Sequence, residues 1–256
     1  MNKLAAAAVV ALAVSSVWAV PGTIQTSTDK KSGDIKWQRS SKSYTLTYKK
    51  GGTEVSAEYK LDDVERLDVN EPANFAKLRK MVESGQGGAA IAGLSAIVQE
   101  YKMLQWDKVA GRYLVEAYLS SGNAQKAYET ATSIIGDDKS AAWKGDLAPA
   151  YWQALLKLNK MTQLENCLKK AAASGDRATS AAALVMRGDM ILASGGDTHD
   201  AYRQALVDAY LRIALMYTDE PCKEARIMAM QKAAMCFDKL GMAARAEGMR
   251  TQAKTL

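Results

Sequence analysis

Few side chains in this sequence have the types and spacing that chemistry needs. The chain has one histidine, His199, in the loop Gly195-Gly196-Asp197-Thr198-His199-Asp200. Two aspartates beside that imidazole could contact a cation, but a capping loop that opens a helix at Asp200 accounts for the same residues. A histidine-based triad would have to use this exposed loop, and no nucleophile is placed near it. Gly85-Gln86-Gly87 followed by Ala90 imitates a phosphate-binding loop. That loop needs a preceding strand, and the residues ahead of Gly85 read as helix. Gly93-Leu94-Ser95 lacks the second glycine of a hydrolase elbow. The acid pairs Asp62-Asp63 and Asp137-Asp138 fall at element edges, where solvated turns explain them better than acid–base work. The sequence therefore predicts no enzyme, no metal site and no cofactor.

The elements that hold these residues follow a recurring pattern. Gly122, Asn159, Gly196 and Gly241 each separate two helical runs, at spacings of 37, 37 and 45 residues. Four places before each stands a large apolar residue: Tyr118, Leu155, Leu192 and Phe237. Five places after stands Ala127, Leu164, Ala201 or Ala246. Such recurrence predicts stacked helix pairs. The pairs are expected over residues 72–83 and 88–104, 106–121 and 123–135, 140–158 and 161–173, 177–193 and 200–217, and 221–240 and 243–253. Asn70-Glu71-Pro72 reads as the first helix start.

The pattern resembles tetratricopeptide repeats (TPR). The last pair matches best, with Ala233-Ala234, Phe237, Leu240-Gly241, Ala246 and Ala253. The pair with Leu114-Val115, Tyr118, Gly122, Ala127 and Ile134 also fits. The middle pairs drift: one carries Tyr151-Trp152, Leu155, Asn159, Leu164 and Ala171, and the next has Gly188-Asp189 and reaches Asp208 where alanine belongs. The resemblance covers roughly the last 150 residues. It implies a mainly α fold, a TPR-like superhelix of four to five helix pairs, that holds a protein or peptide on its concave face. In this register Arg112, Glu116, Gln153, Lys157, Met186, Met190, Met228, Gln231 and Met235 line the groove. The flexible thioethers suit a varied apolar ligand, and equally suit core filling.

Residues 20–70 read differently, as a small antiparallel β barrel or sheet. Tyr44, Leu46 and Tyr48 alternate with Ser43, Thr45 and Thr47, and Val55, Ala57, Tyr59 and Leu61 alternate with polar residues. Lys50-Gly51-Gly52 is a turn signal, Ser32-Gly33 precedes a strand holding Ile35 and Trp37, and Ile24 belongs to another strand. Val64 and Leu67 close the unit, which resembles SH3-like or Sm-like barrels. Residues 30–50 hold seven basic side chains against one acidic, and residues 53–71 hold seven acidic against two basic. Neighbouring strands that pair opposite charges explain this split. The alternative is a basic patch of Lys31, Lys36, Trp37, Arg39 and Lys42 that binds a cell-envelope glycan or other anionic polymer.

Lys3, the apolar run of residues 4–14 and Val17-Trp18-Ala19 have the layout of a secretory signal peptide over residues 1–19. The run is shorter than the roughly 20 residues that span a bilayer, and no later segment is long and apolar enough. The chain is thus expected to be exported, to the periplasm or the extracellular space, without an integral membrane segment. Its formal charge of +6 is too mild to point to nucleic acid. Cys167, Cys222 and Cys236 show no metal-type spacing. Cys222 and Cys236 share one predicted helix, about 21 Å apart at 1.5 Å per residue, too far to bridge. Residues 71–256 are expected to form the repeat domain, and the whole to be a non-catalytic scaffold.

Overall fold

The structure, a computed structural model, describes residues 19–256. The predicted signal peptide lies outside the described residues except for Ala19. Contacts divide the chain into one unit that ends at Asn70 and another, Glu71–Leu256.

The first unit is an antiparallel sheet of β1 (Val20–Gln25), β2 (Lys30–Gln38), β3 (Ser43–Lys50), β4 (Thr53–Lys60) and β5 (Arg66–Val69), in the order β4-β3-β2-β1-β5. The register sets Val20, Ile35, Leu46 and Ala57 side by side across four strands. Trp37, Tyr44 and Tyr59 form the next row, and Ile24 faces Leu67. Because side chains alternate along a strand, these rows share one face, and Val20, Ile24, Ile35, Leu46 and Leu67 are buried there. The β3–β4 hairpin turns on Gly51 and Gly52, both at positive φ, as a two-residue loop requires. Ser32-Gly33 does not form a turn. It lies inside β2, where a Cβ on Gly33 would stand 2.3 Å from the Thr47 carbonyl oxygen, so glycine is there to let β3 approach. The β1–β2 turn lies earlier, closed by Thr26 N–H donating to the Asp29 carbonyl at 2.8 Å.

The second unit is a TPR-like series of helix pairs: α1 (Phe75–Glu83) with α2 (Gly87–Glu100), α3 (Trp106–Ser120) with α4 (Ala124–Asp137), and α5 (Leu147–Lys157) with α6 (Met161–Ala172). Next, α7 (Arg177–Gly195) pairs with α8 (His199–Ala205), which continues through a π turn at Leu206–Tyr210 into α9 (Leu211–Met216). The last pair is α10 (Lys223–Lys239) and α11 (Ala243–Thr255).

The turns explain the recurrence. After α3 the backbone goes left-handed at Gly122, and Asn123 N–H returns to the carbonyl of Tyr118 at 2.8 Å. Asn159 and Gly241 do the same, with Lys160 donating to Leu155 and Met242 to Phe237. This double closure satisfies the last carbonyls of the first helix and aims the chain back along it. Gly85 belongs to the same set, since Gln86 N–H donates to the Met81 carbonyl at 2.7 Å. The segment that imitates a phosphate loop is therefore the first of these turns, one 37-residue step before Gly122. Ala90, five places after it, is fully buried, as are Ala127, Leu164 and Ala246. Gly196 departs from the set: only its own N–H bonds back, to Leu192.

Several predicted boundaries move, and the helix expected over 88–104 ends at Glu100. Residues 72–74 form a turn closed by Phe75 N–H on the Pro72 carbonyl, so α1 starts at Phe75 and not at the proline. The helix expected from residue 140 is a 3-10 turn, Lys139–Ala142, followed by a break at Gly145, which is at positive φ. Cys222 lies in a 3-10 turn just ahead of α10, not inside it.

Ala127 and Ala246 have no room for more than a methyl group. Ala127→Arg and Ala246→Arg are each expected to lower the stability of the helical unit by about 3 kcal/mol or more, through overpacking and a buried charge. Chemical denaturation followed by circular dichroism measures this, and an unchanged midpoint for both would reject the packing register.

Candidate functional site

First helices pack on first helices along the series: α1 on α3, α3 on α5, α5 on α7, and α7 on α10. The second helices show no comparable contact with one another. An array whose first helices touch while its second helices splay bends toward the first-helix row.

The predicted groove residues separate into three environments. Arg112 and Glu116 are half-buried and bonded to each other, Nε to Oε1 at 2.9 Å. Burial opposes the charge on Arg112, but Glu116, with Tyr113 and Glu224 adding, lifts the guanidinium above its ordinary value. Gln153, Lys157 and Gln231 are exposed. The methionines diverge: Met186 is 4% exposed within the α3–α7 core, and Met190 packs against that core from its edge. Met228 and Met235 are 43% and 44% exposed on α10. Met186 is thus a core residue, while Met228, Gln231 and Met235 make an open strip one turn apart along α10.

Next to Met190 lies a concavity that no motif in the sequence singles out. A cleft of about 440 Å³ runs between α6 and α7. Leu168, Ala172, Ala183, Leu184 and Met190 line it, with Glu165, Lys169 and Arg187 at its polar margin. Lys169 is bound to Glu165 at 3.0 Å. Arg187 is exposed and makes no ion pair among the described residues. The cleft thus offers an apolar floor and one available guanidinium. No sequence signal marks it, because it arises from the spacing between one pair and the next.

Around α7 the repeat pattern is altered by one network centred on a buried tyrosine. Tyr210, fully buried in the π turn, donates to Asp189 Oδ1 at 2.7 Å, and Lys232 Nζ meets the same oxygen at 2.7 Å. A Cβ on Gly188 would stand 2.4 Å from the Tyr210 ring, so Gly188 makes the space that the ring fills. Burial, reinforced by Asp189, raises the Tyr210 phenol far above its ordinary range. The π turn also resolves Asp208. Buried residues here fall in four-spaced rows: Ala201, Ala205, Ala209 and Ile213 beside Tyr202, Leu206, Tyr210 and Ala214. An α-helix drifts about 40° per four residues, and a wider turn cancels that drift. Ala209 therefore takes the buried place expected of residue 208.

The other candidate groups are structural. The loop caps a helix as expected, with Thr198 accepting from Ala201 N–H at 3.2 Å, and α8 starts one residue before Asp200, at the exposed His199. Asp137 and Asp138 are not simply solvated. Lys102 holds the first at 2.8 Å and Lys108 holds the second, tying α4 to the α2–α3 turn and to α3. Burial works against the charge of Asp138, yet Lys108 and Ser140 keep its carboxyl below the usual range. All three cysteines are free and buried. Burial pushes the thiols of Cys167 and Cys222 up, and that of Cys236 up to about 11. Among the described residues no cluster could hold a metal, and no helix is long and apolar enough to cross a membrane.

In the β unit the five residues of the basic patch do not share a surface. Lys36 and Trp37 are consecutive in β2 and point to opposite faces. Trp37 packs against Tyr44, ring centroids 5.0 Å apart. Lys31 is engaged by Asp29 and lies over the Tyr48 ring. Arg39 and Lys42 belong to the β2–β3 turn and are exposed. Opposite charges face each other directly at Lys49 and Glu54.

No protein-family model matches this chain, and no curated protein matches it. Two solved structures are similar to it. Both are crystal structures of a putative kinesin light chain from Podosopora anserina with nearly identical TPR-like repeats, one of them a single-substitution variant. Each is 13% identical, covering 72% of this chain and 92% of that one, with TM-scores of 0.45 and 0.44.

Two single substitutions separate core from surface. Met186→Asp is expected to cost about 3 kcal/mol or more of stability, whereas Met235→Asp should leave the thermal midpoint unchanged. Calorimetry of both variants decides it. The native thiols should also resist a thiol reagent at neutral pH and react together on unfolding, as timed by absorbance.

Proposed function

We propose that this chain is an exported, non-catalytic scaffold that holds a segment of a partner protein on its helical array. The observation that carries this reading is the cleft between α6 and α7, an apolar floor with Arg187 unpaired at its margin. A site of that composition accepts an apolar side chain and holds a neighbouring carboxylate. The open strip of Met228, Gln231 and Met235 on α10 offers further apolar contact to the same kind of ligand. The isolated histidine, the ion-paired acids and the raised thiols support a role without catalysis. The apolar N-terminal run with its small-residue cleavage site supports export.

A peptide array screened with the purified protein tests the proposal. Peptides with a bulky apolar residue beside an aspartate or glutamate are expected to bind. Arg187→Glu should weaken them about tenfold or more while the melting temperature stays the same. Equal binding by Arg187→Glu and Leu184→Asp, with folding intact, would overturn the site. Absence of any peptide binding would overturn the function.

A further inference from the structure

Strand β4 lies at an edge of the five-stranded sheet. β4 (Thr53–Lys60) bonds to β3 along one side, and among the described residues no strand pairs with its other side. It is eight residues long, with no proline and no break in its register with β3, so its outward N–H and C=O groups form a ready template. Its apolar residues Val55, Ala57 and Tyr59 are only half-buried, while their neighbours in β3, Tyr44 and Leu46, are buried. The apolar face of the sheet thus runs out to this edge unfinished.

The sequence of the strand selects an occupant. Two copies of β4 meeting antiparallel must oppose residues that both aim their backbone groups outward. The two-fold axis then passes through a residue, and the apolar faces of both copies lie on one side. With the axis at Ala57, Glu54 faces Lys60 of the second copy, Val55 faces Tyr59, and Ser56 faces Glu58. Each of these is a favourable cross-strand pair, and each occurs twice. The neighbouring axes are worse. An axis at Ser56 sets Glu54 against Glu58, one at Glu58 sets that residue against itself, and one at Val55 pairs only residues 53 to 57 before the hairpin turn and opposes no unlike charges. An axis at Tyr59 leaves only three residues paired before the 3-10 turn Leu61–Asp63. Of the registers that pair five or more residues of β4, only the one centred on Ala57 opposes unlike charges and never like ones.

The geometry points to a second copy of this chain as the partner of β4, giving a two-fold dimer in which the two five-stranded sheets join into one continuous sheet centred on Ala57. This surface is independent of the helical cleft, so either can fail alone.

Sedimentation velocity of the full-length protein and four variants tests it. The unaltered protein should dimerise. Glu54→Lys and Lys60→Glu each place like charges opposite twice, and each should raise the dimer dissociation constant about tenfold or more. The double swap Glu54→Lys with Lys60→Glu should restore it. Ala57→Cys should form an intermolecular disulfide on mild oxidation, since opposed residues stand about 4.5–5.5 Å apart, within bridging range. Mass spectrometry of that variant should find the introduced sulfur of one copy joined to that of the other. Circular dichroism confirms folding of each variant, all of which change half-buried or exposed positions. A monomer throughout would overturn the proposal. So would a dimer that ignores the charge reversals and yields no bridge at position 57, because the copies would then meet elsewhere.

Discussion

Most pairs in the helical unit depend on how near two helices can come where one of them carries only a methyl group. Ala90, Ala127 and Ala246 sit five residues beyond their turns and are fully buried against the helix just left. Close approach at that point lets the bulky residue before the turn, such as Tyr118 or Phe237, fill the flanking space. The left-handed residue and its returning hydrogen bond fix the angle at which the second helix departs. Turn and alanine therefore act as one device. The turn sets direction, and the small side chain sets distance.

The same device shows where the sequence was legible and where it was not. Turns marked by glycine or asparagine and followed five places on by a buried alanine or leucine were readable, because both the backbone sign and the packing position leave a residue-type signature. Gly85 carries the identical signature, yet its neighbours Gln86 and Gly87 give it the look of a ligand loop. The hydrogen bond from Gln86 to Met81 decides between the two. The break at Gly145 was hidden because the residues on both sides of it, Ala141 and Ala142 before and Leu147 and Ala148 after, are good helix formers. Gly33 was misread for the opposite reason. Its lack of a side chain serves a neighbouring strand, and contact of that kind has no local signal. Among the candidate site residues, helical spacing put Met186 and Met190 on one side of α7 but could not tell depth, so one is core and the other margin.

Residue 208 makes the most instructive case. A rigid reading of the repeat puts aspartate where a small apolar residue belongs. The chain answers with a single widened turn, and Ala209 moves into place. The widened turn also seats Tyr210 over Gly188, where Asp189 satisfies its hydroxyl and Lys232 balances the carboxylate. A phenol is thereby buried with its hydroxyl satisfied by half-buried partners in a region otherwise held by alanines, and α7, the π turn and α10 are locked in one arrangement. What looks like decay of the pattern is a local exchange of one close-packing solution for another.

The constant interval between Gly85, Gly122 and Asn159 has a consequence for the history and engineering of the chain. Each of these residues hands over to the next helix with the same handedness, and a buried small or apolar residue waits five places on. Excising everything between one such residue and its successor would splice equivalent backbone onto equivalent backbone. Inserting a copied interval would do the reverse. The array is in that sense modular, its length adjustable in whole units while every joint keeps its shape.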